Sequence, residues 1–328
     1  MSDLARSFAK AKLASLSLPP DLPVSEEPED DQDSSSASSM SSTGTVVPSP
    51  GHKPAPALPL PWSDFFAQEL YLEEQGEDYS AKYHVYVTPP ADAKAPLLVL
   101  HHGAGSSALT WSLFAQELKK LLPEAGVLAI DARDHGSVVY DSAGTPSSDL
   151  SLPVLTNDLQ AMMRLTAAKL HWPSLPQLLL IGHSLGGAVV VHAAAAGALG
   201  PTVVGYGVLD VVEGSALEAL QHMRAYLLAR PDSFADLDAA VQWHVRSRTL
   251  RNPVSARASV PPLLRLRDDG RWAWRTDLAS TERYWEGWFS GMSAKFLSAK
   301  GAKILLLAGT DRLDKELMIG QMQGECFY

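Results

Sequence analysis

Ser184 is the residue of this sequence best suited to act as a nucleophile. It lies in the run Gly182-His183-Ser184-Leu185-Gly186-Gly187, after an apolar stretch typical of a buried strand and before an alanine-rich stretch typical of a helix. Glycines on both sides of the serine allow a sharp strand-to-helix turn that projects the hydroxyl above a sheet. The N-terminus of the following helix presents amide N–H groups to a developing negative charge. We therefore predict that Ser184 attacks a carbonyl carbon and that the Leu185 amide is one donor to the resulting oxyanion.

A second oxyanion donor is expected from the run His101-His102-Gly103-Ala104-Gly105. The run follows the apolar stretch 96–100, and its small residues let the backbone approach a substrate oxygen closely. A tetrahedral ester intermediate is stabilised by two preorganised donors, the second of which comes from such a loop. We predict that this donor is the amide of Ala104 or Gly105.

A third run, Ile130-Asp131-Ala132-Arg133-Asp134-His135-Gly136, follows the apolar stretch 127–130. Its position resembles that of a similar turn in many α/β-hydrolases. We interpret Asp131 and Arg133 as structural ion-pair residues rather than as catalytic groups.

Ser184 also needs a base and a carboxylate, because a serine hydroxyl is a weak nucleophile at neutral pH. The expected order along the chain is serine, then acid, then histidine. Asp210 follows the apolar stretch 203–209, and Asp311 follows the run KILLLAGT. Position alone favours Asp311, since the acid follows the later strand in most proteins with this arrangement. His183 directly precedes the serine, and His101 and His102 are expected near the site, but none of them is expected to serve as the base.

The scaffold that positions these residues is predicted from short apolar runs that alternate with helical spacing. Predicted strands cover residues 83–87, 96–100, 127–130, 177–181, 203–209 and 303–307, and predicted helices cover 111–122, 155–169, 187–199 and 216–229. Such alternation implies an α/β fold with a mostly parallel sheet and helices on both faces.

Composition divides the 328 residues into three parts. Residues 1–61 hold 10 of the 23 prolines, an acidic run and a serine-dense stretch, so we predict a disordered tail. Residues 62–328 are predicted to form the catalytic domain. Within it, residues 212–302 hold five of the eight tryptophans and are too long for one crossover helix, which predicts an inserted helical cap. We expect the aromatic residues of the cap to form its own core.

Charge and cysteine content exclude several classes of protein. With 27 basic and 37 acidic side chains the net charge is −10, which argues against nucleic acid as a partner. The one cysteine, Cys326, cannot form an internal disulfide, which is consistent with a reducing compartment. No apolar run approaches the roughly 18 to 20 residues of a membrane helix. We predict a soluble protein of the cytoplasm, with the nucleus as an alternative, that uses neither a metal ion nor a cofactor.

Several further runs resemble those of the protein phosphatase methylesterases, a family of the α/β-hydrolase fold. The matching runs are PWSDFF (61–66), SALTW (107–111), GHSLGGA (182–188), LDVVEGSA (209–216), RYWEGWF (283–289), and LLLAGTDRLDKEL followed by IGQMQG (305–324). The resemblance implies hydrolysis of the methyl ester on the C-terminal leucine of the type 2A protein phosphatase catalytic subunit, which is then the expected partner. It also implies that Ser184 is the nucleophile and that Asp210 is the acid, with Asp311 held in reserve.

The family places its histidine base on a loop after one further strand, beyond the segment that carries Asp311. This sequence has 17 residues after Asp311 and its last histidine is His244, so we expect the C-terminal strand and helix with that base to be missing. Two alternatives therefore stay open at this point. One is a truncated phosphatase-binding protein with little turnover, and the other is an esterase of small molecules on the same fold.

Overall fold

The computed structural model describes residues 58–197, 199–309 and 313–324. The predicted tail, except for its last four residues, lies outside this part of the chain, and so do Asp311 and Cys326. The eleven strands of the described residues are β1 (Gln68–Gln75), β2 (Tyr79–Thr88), β3 (Leu97–His101), β4 (Gly126–Asp131), β5 (Val138–Asp141), β6 (Leu178–His183), β7 (Val203–Leu209), β8 (Ser233–Phe234), β9 (Leu264–Leu266), β10 (Trp272–Trp274) and β11 (Ala302–Leu306).

Eight of these strands form one mixed sheet in the described residues, in the order β1-β2-β4-β3-β6-β7-β11, with β5 also paired to β2. The five strands from β4 to β11 run parallel, whereas β2 is antiparallel to β1, β4 and β5. The prediction of a mostly parallel sheet is therefore confirmed. Sequence analysis did not find β1 or β5, because β1 reads QELYLEEQ and carries the charged side chains typical of an edge strand.

The helices of the described residues are α1 (Ser112–Leu121), α2 (Leu152–Lys169), α3 (Leu185–Ala196), α4 (Glu213–Ala229), α5 (Leu237–Arg246), α6 (Pro253–Ser259), α7 (Glu282–Phe289), α8 (Met292–Ser298) and α9 (Lys315–Met322). α2 begins three residues earlier than predicted, since Pro153 fits the first turn of a helix, where its missing N–H costs no hydrogen bond. Within this part of the chain, no helix is both long and apolar enough to cross a membrane.

Two apolar layers cover the two faces of the sheet. Alternate residues of β3 point to opposite sides, so that Leu97 and Val99 pack with α2 and α3, whereas Leu98 and Leu100 pack with α1 and α6. The arrangement follows from the period of two along a strand. Because β3 is buried on both faces, its carboxyl end is held firmly where the Ala104 loop begins.

The stretch between β7 and β11 contains α4 to α8 and a small three-stranded sheet in the order β8-β10-β9. Trp243 and Trp274 pack there on each other and on Phe234, as expected of a separate aromatic core. The expectation is wrong for Trp285 and Trp288, which join the apolar layer of the main sheet through α7. The Trp288 indole N–H donates to the Leu150 carbonyl at 2.7 Å, which fixes α7 against the segment that precedes α2.

A buried ion pair connects the loop after β4 to α2. The Arg133 guanidinium donates two hydrogen bonds of 2.8 Å to the Asp158 carboxylate, which also accepts from the Tyr83 hydroxyl at 2.9 Å. Both charged side chains are less than 10% exposed. The pair therefore stabilises one arrangement of the loop because every alternative would leave a charge buried alone.

We expect Asp158→Ala to lower the free energy of unfolding by about 3 to 5 kcal/mol, since it leaves Arg133 buried without a counter-charge. Glu117→Ala is the matched control, because Glu117 is also a helical carboxylate but pairs with Lys120 at the exposed surface. Denaturant unfolding followed by circular dichroism measures both. Equal effects of the two substitutions would contradict the assignment.

Candidate active site

Ser184 stands at the turn between β6 and α3, with φ 52° and ψ −121°. This backbone conformation is sparsely populated by residues other than glycine and persists only where neighbouring structure enforces it. Here the Ser184 amide donates to the Leu209 carbonyl of the adjacent strand at 3.2 Å. The sequence-predicted elbow is therefore present, with the serine between the end of a strand and the start of a helix.

Close packing around Gly186 fixes the position of the turn at Ser184 relative to β3. A Cβ on Gly186 would fall inside van der Waals contact of the His101 carbonyl oxygen and 2.6 Å from that of His102. The first turn of α3 thus rests directly on the end of β3. A Cβ built on Gly103 would lie 3.1 Å from the Ser184 Cβ, so the loop after β3 borders the serine.

The backbone amides near Ser184 differ in what they already bind. The Gly105 amide donates to His135 Nε2 at 2.9 Å. Among the residues that the structure describes, neither the Ala104 amide nor the Leu185 amide at the first position of α3 has an acceptor. Two open amides therefore flank the serine, which is the arrangement an oxyanion site needs.

Asp210 lies directly after β7 and beside the elbow. The register pairs His183 with Leu209, so Ser184 and Asp210 follow paired residues at the same edge of the sheet. The Asp210 amide donates to the Leu306 carbonyl at 2.7 Å, and one carboxylate oxygen accepts from the Ala308 amide at 3.0 Å. Asp210 has φ 56°, a second strained position held by hydrogen bonds.

His101 and His102, near the serine, are hydrogen-bonded to backbone groups. His101 Nδ1 donates to the His102 carbonyl at 2.9 Å, and burial lowers the pKa of His101 to about 4. His102 Nδ1 donates to the Gly103 carbonyl at 2.7 Å, its Nε2 accepts from the Ala132 amide at 3.0 Å, and burial lowers its pKa far below the ordinary value. His183 is partly buried, and this desolvation lowers its pKa, although the charge of Asp210 opposes this. In the described ranges no histidine is hydrogen-bonded to the Ser184 hydroxyl.

Asp131 fixes the start of the short helix that follows the Ala104 loop. One of its oxygens accepts from the Ala108 amide at 2.6 Å, and the other accepts from His84 Nδ1 at 2.6 Å. His84 Nε2 lies 2.9 Å from a Glu69 oxygen, so the ring bridges two carboxylates. The interpretation of Asp131 and Arg133 as structural ion-pair residues is confirmed, with His84 and Asp158 as their partners.

His135 is the residue near the site that sequence analysis did not single out. The prediction stopped at Asp131 and Arg133, although His135 belongs to the same run. The signal that could have found it is the pairing of β3 with β4, which places the loop after β4 next to the loop after β3. No group of three or more His, Cys, Asp or Glu side chains suited to a metal ion occurs in the described part of the chain.

Comparison with known proteins first gives the class. The family described as "Alpha/beta hydrolase family" matches residues 98–326. The crystal structure of E-2-(acetamidomethylene)succinate hydrolase matches with a TM-score of 0.59 at 17% identity, covering 79% of this chain and 89% of that chain. Identity that low shows the fold alone. The chain has the α/β-hydrolase fold and belongs to that class.

Closer relatives give the family. Protein phosphatase methylesterase 1 of Aspergillus fumigatus is 51% identical over 99% of this chain and 82% of its own length. The protein of the same name from Emericella nidulans is 52% identical over 99% of this chain and 81% of its own length. The chain belongs to the protein phosphatase methylesterase 1 family, which places it among the carboxylesterases of this fold, and the resemblance drawn from the sequence is confirmed.

We expect Gly186→Ala to destabilise the protein by about 1 to 3 kcal/mol or more, since the methyl group would push α3 away from β3. Gly287→Ala is the matched control, because Gly287 is also helical and a Cβ there meets open space. That substitution should be neutral or stabilising by about 0.5 to 1 kcal/mol. Thermal and denaturant unfolding measure both, and a neutral Gly186→Ala would show that the elbow does not rest on β3.

The His84 bridge predicts a pH dependence of stability. Burial alone would lower the pKa of His84, but the Asp131 and Glu69 carboxylates outweigh it and raise its pKa above the ordinary value of 6.5. A raised folded-state pKa means that the bound proton stabilises the fold. This contribution is complete below about pH 6.5 and is lost as the pH rises through the folded-state pKa. The stability advantage of the wild type over His84→Gln should therefore shrink between pH 6 and pH 9 in denaturant titrations, and an advantage that grows over this range would contradict it.

Proposed function

We propose that this chain hydrolyses a methyl ester, namely the one on the C-terminal leucine of the type 2A protein phosphatase catalytic subunit. The observation that carries the proposal is Ser184 on its strained turn between β6 and α3, flanked by two open amides. Family membership supports the substrate, because the relatives of this family bear the name protein phosphatase methylesterase.

The proposed reaction uses Ser184 as the nucleophile. Its oxygen attacks the ester carbonyl carbon, and the amides of Leu185 and Ala104 stabilise the negative oxygen of the tetrahedral intermediate. Collapse of the intermediate breaks the bond to the methoxy group, which leaves as methanol with the serine proton. Water then adds to the acyl-enzyme, and the second collapse releases the leucine carboxylate and restores the serine hydroxyl.

Asp210 is the proposed acid of the site. It lies beside the elbow, its carboxylate is fixed by the Ala308 amide, and its charge acts on the neighbouring His183 ring. A carboxylate in this position would orient a histidine base and stabilise its charged form. Asp311 stays the reserve acid, outside the described residues.

Residues 212–302 are proposed to act as a cap that helps to hold the phosphatase tail. Two contacts support this. The Thr276 hydroxyl donates to the Asp134 carbonyl at 2.7 Å, and a Cβ on Gly105 would lie only 2.6 Å from Leu278 Cδ1. The proposed cap therefore reaches the loop that carries the oxyanion donors.

We expect Ser184→Ala to lower demethylation of the methylated phosphatase catalytic subunit by roughly 10⁴-fold or more, and Asp210→Asn by a comparable factor. Ser112→Ala is the control, because Ser112 is a buried serine outside the proposed cap whose hydroxyl donates to the Leu109 carbonyl at 2.8 Å. Methanol release and the mass of the C-terminal phosphatase peptide measure turnover, and a pull-down measures binding.

The same assay separates the alternatives. Binding without turnover by the wild type would point to a phosphatase-binding protein instead. Hydrolysis of short synthetic esters without effect on the phosphatase would point to a small-molecule esterase. Full activity of Ser184→Ala would overturn the proposed mechanism itself.

A further inference from the structure

His135 holds two backbone groups through its two ring nitrogens. Nδ1 lies 2.8 Å from the Arg133 carbonyl oxygen, and Nε2 lies 2.9 Å from the Gly105 amide nitrogen. A carbonyl can only accept and an amide N–H can only donate, so Nδ1 carries the proton and Nε2 is the acceptor. The side chain is 2% exposed and both of its polar atoms are satisfied in the neutral form.

The loop that carries His135 is itself fixed on several sides. Asp134 has φ 61°, and its amide donates to the Ser137 carbonyl at 3.1 Å. The His135 amide donates to the Ala132 carbonyl at 3.0 Å, and the Thr276 hydroxyl binds the Asp134 carbonyl from the proposed cap. The imidazole therefore presents its Nε2 at one place in space.

The partner of His135 is Gly105, in the loop after β3. Gly105 has φ 71°, a conformation that favours glycine, and it lies within a turn closed by the Ser106 amide on the Gly103 carbonyl at 3.1 Å. Leu278 packs against one side of Gly105, and the His135 ring binds its amide. The Gly105 amide belongs to the peptide unit between Ala104 and Gly105, so His135 fixes the C-terminal side of Ala104. The Gly103 carbonyl, in the peptide unit that contains the Ala104 amide, is held by the His102 ring and the Ser106 amide. His135 thus completes the fixation of Ala104 on both sides.

We propose that His135 is a positioning residue. It holds the Gly105 amide, so that the Ala104 amide points to the carbonyl oxygen of the ester that Ser184 attacks. This inference rests on the proposed function for its catalytic consequence, but the position of the loop is a separate observable. Gly105 is thereby committed to the scaffold, and Ala104 is the loop's donor to the substrate.

The surroundings of His135 keep its ring in the accepting form. Burial lowers the pKa of His135, although its bond to the Arg133 carbonyl and the charge of Asp131 oppose this. The His102 ring, 5.0 Å away between centroids, is also buried, which lowers its pKa. A protonated His135 would turn an N–H toward the N–H of Gly105, so the neutral ring is the state that positions the loop.

Two isosteric substitutions separate the two bonds of the ring. The His135→Asn side chain reaches the Arg133 carbonyl in place of Nδ1 but is too short to reach Gly105. The His135→Gln side chain places its amide oxygen where Nε2 was, so that it can accept from Gly105. His192→Asn is the control, because His192 is a partly buried histidine of α3 outside the proposed cap, and its Nδ1 is hydrogen-bonded to the Thr156 hydroxyl at 3.0 Å.

We expect His135→Asn to lower kcat for the methylated substrate by about 10- to 100-fold with KM within about twofold, as misplacing one oxyanion donor would. His135→Gln should recover most of the loss, and His192→Asn should keep kcat even where its melting temperature falls as far. Hydrogen exchange of residues 103–107 should be fast in His135→Asn and protected in His135→Gln.

Two results would overturn the inference. One is unchanged kcat in His135→Asn, and the other is equal loss in both His135 variants. If the wild type hydrolyses no methyl ester, the proposed function fails while exchange still decides the positioning. Protection lost in His135→Asn and kept in His135→Gln then supports it, and unchanged protection in His135→Asn refutes it.

Discussion

The contact between the first turn of α3 and the carboxyl end of β3 is the constraint on which the rest of the site depends. It brings Gly186 against the carbonyls of His101 and His102 with no space for a side chain. Because both elements are buried in the apolar layers of the sheet, the contact fixes Ser184 and the loop after β3 relative to each other. The remaining polar interactions position the loops around Ser184.

These loops are held by buried polar side chains, each of which would cost free energy if it were buried without a hydrogen-bond partner. Asp131 receives the Ala108 amide, Arg133 is paired with Asp158, and His135 receives the Gly105 amide. Asp131 is the last residue of β4, and Arg133 and His135 follow it in the loop. β4 lies beside β3 in the sheet. A buried polar network of this kind specifies one conformation because partial satisfaction is worse than none. The position of the loop after β3 beside Ser184 thus depends on side chains from the end of β4 and from the loop after it.

Most of the fold and the turn at Ser184 could be predicted from the sequence, since both depend on local patterns. The role of Ser184 as the nucleophile stays a prediction. Uniformly apolar strands predict a buried parallel sheet, and the glycines around Ser184 predict the sharp turn. β1 was missed because it is an edge strand with charged side chains, and β5 because its four residues, VVYD, are too short to stand out from a loop. The sequence also could not show which of Ala104 and Gly105 has an open amide. That depends on the hydrogen bond from Gly105 to His135, which lies 30 residues further along the chain.

Ser184 and Asp210 each hold a backbone conformation that costs of order 1 to 3 kcal/mol for a residue other than glycine. A domain of ordinary stability has only about 5 to 15 kcal/mol in total. The two positions therefore consume a substantial share of the margin that keeps the chain folded. Substitutions that weaken the layers around these two turns therefore act on a chain whose stability margin is already reduced.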